Sequence, residues 1–339
     1  MVIEDAKVDE THLYGRGGVF GNMDYVAMGG MMPVVGQERP MFAAKRPLYH
    51  LPLILEFFFR WCSFMIVVLP LALLWSRSLT PIRLGMMTVL WSTLVYAPVV
   101  HAVSGDGWLQ HRGAIDFSLG LILLSSGFSA LFGVPKHEET RVWSGSARQS
   151  ATGGLLMWFG MSLHVSAYTF HADGRAMIAL VNMLVGTGCG LLIWSFCNSF
   201  LWNRPFSEHS AAGILAGLAT IAPGAGYMFP QSAMILGCSS AALSNILYYA
   251  TSRRNPHDPQ RFLFFTLGIS SMTGLMGAGM FATTGVGGLR WDGREILGAI
   301  QGNANQLTSQ GLAIAATVVW STLVTWLLFT LFLRQRTNV

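Results

Sequence analysis

Apolar runs of about 20 residues recur along the chain from residue 51 almost to its end. A helix of this length crosses the hydrocarbon core of a bilayer, because each residue adds about 1.5 Å along the helix axis. The pattern therefore predicts an all-α integral membrane protein with about nine membrane-spanning helices joined by short loops. The predicted spans are 51–76, 82–103, 112–134, 148–171, 175–202, 208–227, 229–252, 260–283 and 308–333.

The distribution of polar and apolar segments divides the chain into an N-terminal arm and a transmembrane domain. Residues 1–47 are polar and glycine-rich and lack a periodic apolar face, which predicts an extended extra-membrane arm. The arm is also rich in methionine and aromatic residues, so it either lies against a partner or the membrane surface or forms a disordered terminus. Residues 48–339 form the predicted transmembrane domain. Its longest loop, 284–307, is predicted to hold a surface helix around Arg294 to Ile300.

Composition and charge support the membrane assignment and give its orientation. Of the 339 residues, 52% are hydrophobic and 11% are charged, whereas a typical soluble domain is about 25% charged. Cytoplasmic loops are enriched in Lys and Arg, which predicts an N-terminus outside and a C-terminus inside, in a plasma membrane or an energy-transducing organelle membrane. The basic loops hold Arg77, Arg83, Lys136, Arg141, Arg148, Arg204, Arg253, Arg254, Arg261, Arg334 and Arg336, and the opposite loops hold Arg112, Arg175, Arg290 and Arg294.

The third span contains a carboxylate. Residues 113–133 read GAIDFSLGLILLSSGFSALFG, with Asp116 near the start and small residues throughout. A carboxylate in an apolar span is costly, so it usually has a structural or a transport role. Small residues allow neighbouring helices to approach closely in lipid. We therefore expect this helix to lie at the centre of the bundle.

Several motifs, in this order and spacing, resemble the ammonium transporter (Amt/Rh) family. The resemblance covers about residues 53–333, and the first two helices of that family have no counterpart in it. It implies a bundle with an inverted repeat, here broken, around a central pore, usually in a trimer. The motifs are YAPVVH at 96–101, GDGWL at 105–109, GAIDF at 113–117, GILAGLATIAPGAG at 213–226 and AATVVWS at 315–321.

The resemblance also implies that the conducting residues have changed. The family has two facing pore histidines, whose positions match Leu124 and Leu267. The two stacked phenylalanines at the outer entrance match Met65 and Met161. Without imidazoles the pore lacks a base that can take a proton from ammonium.

The outer recruitment site of the family is changed as well. Its cation-binding tryptophan matches Ser104, and its hydrogen-bonding serine matches Val165. A cation needs a ring face or oxygen acceptors before it gives up water, and neither is expected here. Asp116 is retained, and in the family this acid mainly fixes local structure beneath the ion site.

The other residues with possible functional chemistry can each be explained by a structural role. His164 lies one helical turn from Met161, and Met157 lies one turn before that, an arrangement that can bind a metal or a pigment, although such Met stripes are more often packing. Glu56 and Arg60, spaced i,i+4, are predicted to pair on one helix face. The cysteines fall singly in apolar spans, so neither a disulfide framework nor a zinc site is expected. They are Cys62, Cys189, Cys197 and Cys238.

No nucleotide-binding or catalytic motif is found in the sequence, so we expect neither an enzyme nor a nucleic-acid partner. Bound lipid is the expected non-protein component, with no cofactor predicted. Two functions remain open. The chain is either a non-transporting accessory or scaffold subunit of a larger membrane complex, or a channel for ammonia or another small neutral or apolar molecule. A ligand sensor is a weaker third interpretation. The expected partners are the bilayer and either other membrane subunits or two further copies of this chain, which together with it form a homotrimer.

Overall fold

A computed structural model describes residues 53–104, 107–133, 147–205, 210–251, 258–286 and 295–334. The predicted arm, 1–47, and the N-terminal part of the predicted surface helix around Arg294 lie outside these residues. In the described part of that helix region, the structure has a 3-10 turn at Ala299–Gln301 instead of an α-helix. Glycines at 298 and 302 flank this turn, and Gly302 has a positive φ of 94°, which ends the turn after one revolution.

The described residues form a helical bundle. Pro81 to Ser104 is one continuous helix whose middle is a π-helical turn. The helices of the first half are α1 (Leu53–Trp75), α2 (Pro81–Trp91), the π turn Ser92–Tyr96, α3 (Ala97–Ser104), α4 (Trp108–His111) and α5 (Gly120–Ser129).

The second half repeats the pattern of long helices joined by short connections. A second π turn lies inside the helix from Pro259 to Phe281. The helices are α6 (Ala147–Ser166), α7 (Gly174–Trp202), α8 (Ser210–Ile221), α9 (Pro230–Thr251), α10 (Pro259–Leu263), the π turn Phe264–Ile269, α11 (Ser270–Phe281) and α12 (Asn305–Arg334).

Each predicted span contains a helix, but they differ in length. In the part of the chain that the structure describes, six helices are long and apolar enough to cross a membrane, and Gly120–Ser129 and Ser210–Gly224 are shorter apolar helices. The predicted span 148–171 is helical over Ala147–Ser166 but is not among the six. Pro223 marks a change to 3-10 geometry at Ala222–Gly224, which ends the predicted span 208–227 early.

The predicted span 112–134 is wrong over its first third. The helix begins only at Gly120, and residues 113–119 are not helical. Gly113 has a positive φ of 96°, and the backbone N–H groups that follow it bond to groups outside a helical ladder. The segment 113–119 is thus a largely buried, irregular chain, several of whose backbone polar groups are bonded to other parts of the protein, as irregular backbone within a membrane protein requires.

Packing places α5 in the interior. Nine of its ten residues are buried, and it contacts α11, α12 and the π turn Phe264–Ile269. The helices α7, α8 and α9 pack on one another next to it. The outer helices expose apolar side chains, for example Ile82 and Phe200, which are 79% and 72% exposed. Such surface is expected where a helix faces lipid tails or another membrane helix.

Candidate functional site

The carboxylate of Asp116 caps the start of α5. Its Oδ1 accepts the backbone N–H groups of Ser118 at 3.2 Å and Gly120 at 3.0 Å, and its Oδ2 accepts that of Leu121 at 2.7 Å. The first N–H groups of a helix have no partner within the helix, and the helix dipole favours a negative charge beside them. The geometry of Asp116 therefore accounts for a carboxylate in this apolar region without a bound ion.

The segment that carries Asp116 is also bonded to its neighbours through its backbone. The N–H of Phe117 donates to the carbonyl of Pro223 at 2.8 Å, and the hydroxyl of Ser118 donates to the carbonyl of Ala222 at 3.1 Å. These bonds join the segment to the end of α8. Asp116 consequently lies in a segment that hydrogen bonds hold against the end of α8.

Gln310 of α12 braces the same segment from the other side, and sequence reasoning missed it. Its Nε2 donates to the carbonyls of Ile115 at 2.8 Å and Leu275 at 2.9 Å, while its Oε1 accepts the N–H of Ile115 at 2.9 Å. The side chain is completely buried. Its position near the start of the predicted span 308–333 was the available signal, since a polar side chain in a membrane helix usually has a partner within the bundle.

Leu124 and Leu267 lie on two elements that touch through their backbones. Leu124 is one turn before Gly127 on α5, and Leu267 precedes Gly268 in the π turn Phe264–Ile269. A Cβ atom added at Gly127 would lie 2.1 Å from the backbone nitrogen of Gly268 and 3.0 Å from the carbonyl carbon of Leu267. The two leucines are 0% and 2% exposed and belong to one apolar cluster. Both leucine side chains are thus part of the apolar core of the bundle.

The comparisons with known proteins identify this architecture. The family model described as "Ammonium Transporter Family" matches residues 20–334. The chain belongs to the ammonium transporter family. The match begins before residue 53, where the motif resemblance starts, and so reaches into the predicted arm.

Relatives and solved structures agree with the family assignment. An ammonium transporter of Bacillus subtilis is 30% identical over 248 residues, which cover 72% of this chain and 60% of the relative. The crystal structure of Saccharomyces cerevisiae Mep2 matches with a TM-score of 0.78 and 23% identity, covering 92% of this chain and 71% of that one. The S453D mutant of Candida albicans Mep2 matches with a TM-score of 0.81 and 22% identity, covering 94% and 72%. The matches to eight curated ammonium transporters span 43–62% of the length of those relatives.

Three of the remaining family positions join the apolar cluster that holds the two leucines. Met161 is 3% exposed and Val165 is 0% exposed, both on α6, and Met65 of α1 is half-buried and packs on the cluster. Ser104 is half-buried at the end of α3. Five of the six positions predicted to line a pore thus carry apolar side chains in or against the apolar core of the bundle, a core to which most of the helices contribute.

His164 takes part in a polar cluster between α1 and α6. Ser63 Oγ lies 2.8 Å from Nε2 of His164 and 3.0 Å from the hydroxyl of Tyr168, and the imidazole stacks on Phe59 with the ring centroids 4.4 Å apart. One imidazole nitrogen is thus engaged by a protein hydroxyl. Among the residues that the structure describes, no three His, Cys, Asp or Glu side chains meet as a metal site requires.

The predicted pair of Glu56 and Arg60 is confirmed. Arg60 Nη2 lies 3.6 Å from Glu56 Oε1, and the guanidinium carbon lies 5.6 Å from the ring centroid of Tyr168. Both side chains are partly exposed, so the ion pair itself contributes little, about 0–1 kcal/mol. Its position beside Tyr168 extends the contact between α1 and the end of α6.

Replacing Ser63 by alanine is expected to weaken the contact between α1 and α6. Ser63 is 1% exposed, and its loss leaves His164 Nε2 and the Tyr168 hydroxyl without their shared partner, at a cost of about 1–3 kcal/mol. Thermal loss of monodisperse protein in detergent measures the effect. Ser166→Ala is the matched control, because the hydroxyl of Ser166 donates to Leu163 within the same helix; it should change stability by less than about 0.5 kcal/mol. Equal effects of the two variants would contradict a bridging role for Ser63.

Proposed function

We propose that this chain is a member of the ammonium transporter family that no longer conducts ammonium and serves as an accessory or scaffold subunit of a larger membrane complex. One observation carries the proposal. Leu124 and Leu267, which the motif resemblance matches to the family's paired pore histidines, are both buried in the apolar core, on the two elements that touch at Gly127 and Gly268. The centre of the bundle thus offers an ammonium ion no proton acceptor and no hydrogen-bond acceptor on these two side chains.

The physical argument concerns the cost of moving a cation into an apolar interior. An ion that loses its water without a partner pays many kcal/mol, so it must be bound by oxygen or aromatic groups or be deprotonated. In the positions that the motif resemblance matches to the family's outer site, Ser104 has no aromatic ring and Val165 has no oxygen acceptor on its side chain. Asp116 is the one retained acid, and its two oxygens are already occupied by three backbone N–H groups. The carboxylate therefore acts in the structure of α5 in this proposal.

The surface of the bundle supports partners within the membrane. Apolar side chains on α1 and α2 are exposed, among them Leu73 at 62% and Val89 at 64%. Such faces can pack against other membrane subunits, against further copies of this chain or against lipid. We propose hetero-oligomeric membrane subunits as the main partners, with the N-terminus outside and the C-terminus inside, as the distribution of basic loops predicts.

Purification from the native membrane in a mild detergent is expected to return this chain with other membrane polypeptides in fixed stoichiometry. A scaffold subunit has no function alone, so the association should survive gel filtration and blue-native electrophoresis. A second purification at higher detergent concentration should release the same partners together. Recovery of this chain alone, or as a homotrimer alone, from the mildly solubilised membrane would contradict the accessory role.

The alternative is a channel for ammonia or another small neutral or apolar molecule. The apolar side chains of Leu124 and Leu267 favour this function, because moving a neutral molecule into an apolar passage costs little free energy. Reconstituted vesicles distinguish the two functions. The channel requires a permeability for ammonia or an apolar gas above that of protein-free vesicles, and the scaffold requires none.

A further inference from the structure

Two cysteines that are far apart in sequence, Cys189 on α7 and Cys238 on α9, lie on helices that pack closely. Their thiols are near enough to interact electrostatically, and both residues are partly exposed. The sequence presents all four cysteines as isolated, and they are free thiols in the structure. No CxxC spacing signals the pair, because the contact depends on how two helices align.

The alignment of α7 and α9 places the two thiols at one level. A Cβ atom added at Gly186 would lie 3.0 Å from the carbonyl oxygen of Ala233, and one added at Gly237 would lie 2.2 Å from the carbonyl oxygen of Gly186. These contacts join residues 47 apart (233 − 186) and 51 apart (237 − 186). Cys189 and Cys238 are 49 apart (238 − 189), midway between these separations. The two cysteines therefore follow the same alignment of α7 with α9, about one helical turn after Gly186.

The same glycines allow the two helices to approach closely. A disulfide requires Cα atoms about 4.4–6.8 Å apart, which is closer than most helix pairs approach, since helix axes usually pack about 8–10 Å apart and their facing side chains fill the gap. The absence of side chains at Gly186 and Gly237 allows the closer approach. The other two cysteines lie elsewhere. Cys62 is on α1, and Cys197 is eight residues beyond Cys189 on the same helix, about 12 Å along its axis.

We propose that Cys189 and Cys238 form a redox-active thiol pair that closes to a disulfide when a membrane-permeant hydroperoxide, such as a lipid hydroperoxide, reaches it. One thiol sulfur attacks the peroxide oxygen, which breaks the O–O bond and gives a sulfenic acid and an alcohol. The second thiol then displaces water from the sulfenic acid and forms the S–S bond. Two thiols and one hydroperoxide thus give one disulfide, one alcohol and one water.

The position of the pair accounts for this choice of oxidant. Cys189 lies near the middle of Gly174–Trp202, and Cys238 lies in the first half of Pro230–Thr251. Both sites are therefore within the apolar part of the bundle, where charged oxidants do not enter. The disulfide fixes α7 against α9, two helices that already pack closely.

The test uses the full chain in proteoliposomes, with tert-butyl hydroperoxide as the oxidant. After treatment the protein is unfolded, its remaining thiols are labelled with N-ethylmaleimide, and its intact mass and linked peptides are measured. The untreated chain should take up four maleimides, one for each cysteine. The treated chain should take up two, with Cys189 and Cys238 recovered as one linked peptide that dithiothreitol separates.

Two sets of variants define the result. The variant C62S/C197S keeps the pair and should still give the linked peptide, whereas C189S and C238S should each give none. Retention of four reactive thiols in the treated chain would overturn the proposal. So would linked peptides that contain Cys62 or Cys197 at comparable yield, or disulfides mainly between molecules. The readout is independent of ammonium conduction and of partner binding, so it stands or falls separately from the proposed function.

Discussion

Replacing Gly127 by alanine is expected to cost the protein more than about 2 kcal/mol of stability and much of its folded yield. The new Cβ atom would lie 2.1 Å from the nitrogen and 2.3 Å from the Cα of Gly268. Both atoms belong to the backbone, so α5 or the π turn Phe264–Ile269 has to move. Overpacking in a close-packed core costs about 1–3 kcal/mol, or more where backbone must shift, which exceeds the gain of about 1 kcal/mol in helix propensity.

Gly160→Ala is the control for this prediction. Gly160 also lies inside a helix, but a Cβ atom added there would meet nothing within 4 Å. This variant should be as stable as the parent or more stable by up to about 1 kcal/mol. The measurement is the fraction of monodisperse protein that remains after heating in detergent. A Gly127→Ala protein that matches Gly160→Ala would show that the backbones of α5 and the π turn are not in contact.

Replacing Asp116 by alanine is expected to remove about 3–9 kcal/mol of stability, because it leaves three buried backbone donors without their acceptor. The carboxylate accepts the N–H groups of Ser118, Gly120 and Leu121 at the start of α5. All three residues are buried. A buried donor left without a partner costs about 1–3 kcal/mol, and a whole protein is stable by only about 5–15 kcal/mol. Loss of folded protein on heating in detergent measures the effect.

Asp116→Asn separates hydrogen bonding from charge. Its amide oxygen can keep the bonds from Ser118 and Gly120, but its amino group replaces the oxygen that accepts from Leu121. We therefore expect a stability between those of the parent and Asp116→Ala. Asp173→Ala is the control, because Asp173 caps α7 through one bond to the N–H of Ala176 at 2.8 Å and is exposed; it should cost about 1 kcal/mol. Equal losses for Asp116→Ala and Asp173→Ala would contradict the structural role of Asp116.

The positions of the long helices could be predicted from the sequence, because apolar runs record the thickness of the bilayer. The interruption at 113–119 could not. Its apolar composition is that of a helix, and its backbone is held open by partners from distant parts of the chain, namely Gln310 and Pro223. The two π turns also left no sequence signal, because a π turn adds one residue to a helix without a characteristic composition.

The candidate site could likewise be predicted only in part from the sequence. The family resemblance named Leu124 and Leu267 from short motifs, and the structure places both in one buried cluster. The contacts that hold the cluster in place depend on tertiary alignment. They include the approach of Gly127 to Gly268 and the bond of Ser63 to His164. Pairs of this kind, 101 or more residues apart, have no local pattern from which they could be read.

Ammonium flux into proteoliposomes tests the central claim, the loss of conduction, most directly. The full chain is reconstituted and given an ammonium gradient at a pH where almost all ammonium is protonated, and the resulting current is measured. A reconstituted relative that conducts ammonium serves as the positive control, and protein-free liposomes give the background. The variant L124H/L267H is measured beside the parent, and it too should stay at background because Ser104 and Val165 still do not form the family's recruitment site. We predict a current from the parent chain equal to that of protein-free liposomes, and a saturable ammonium current above this background would contradict the account.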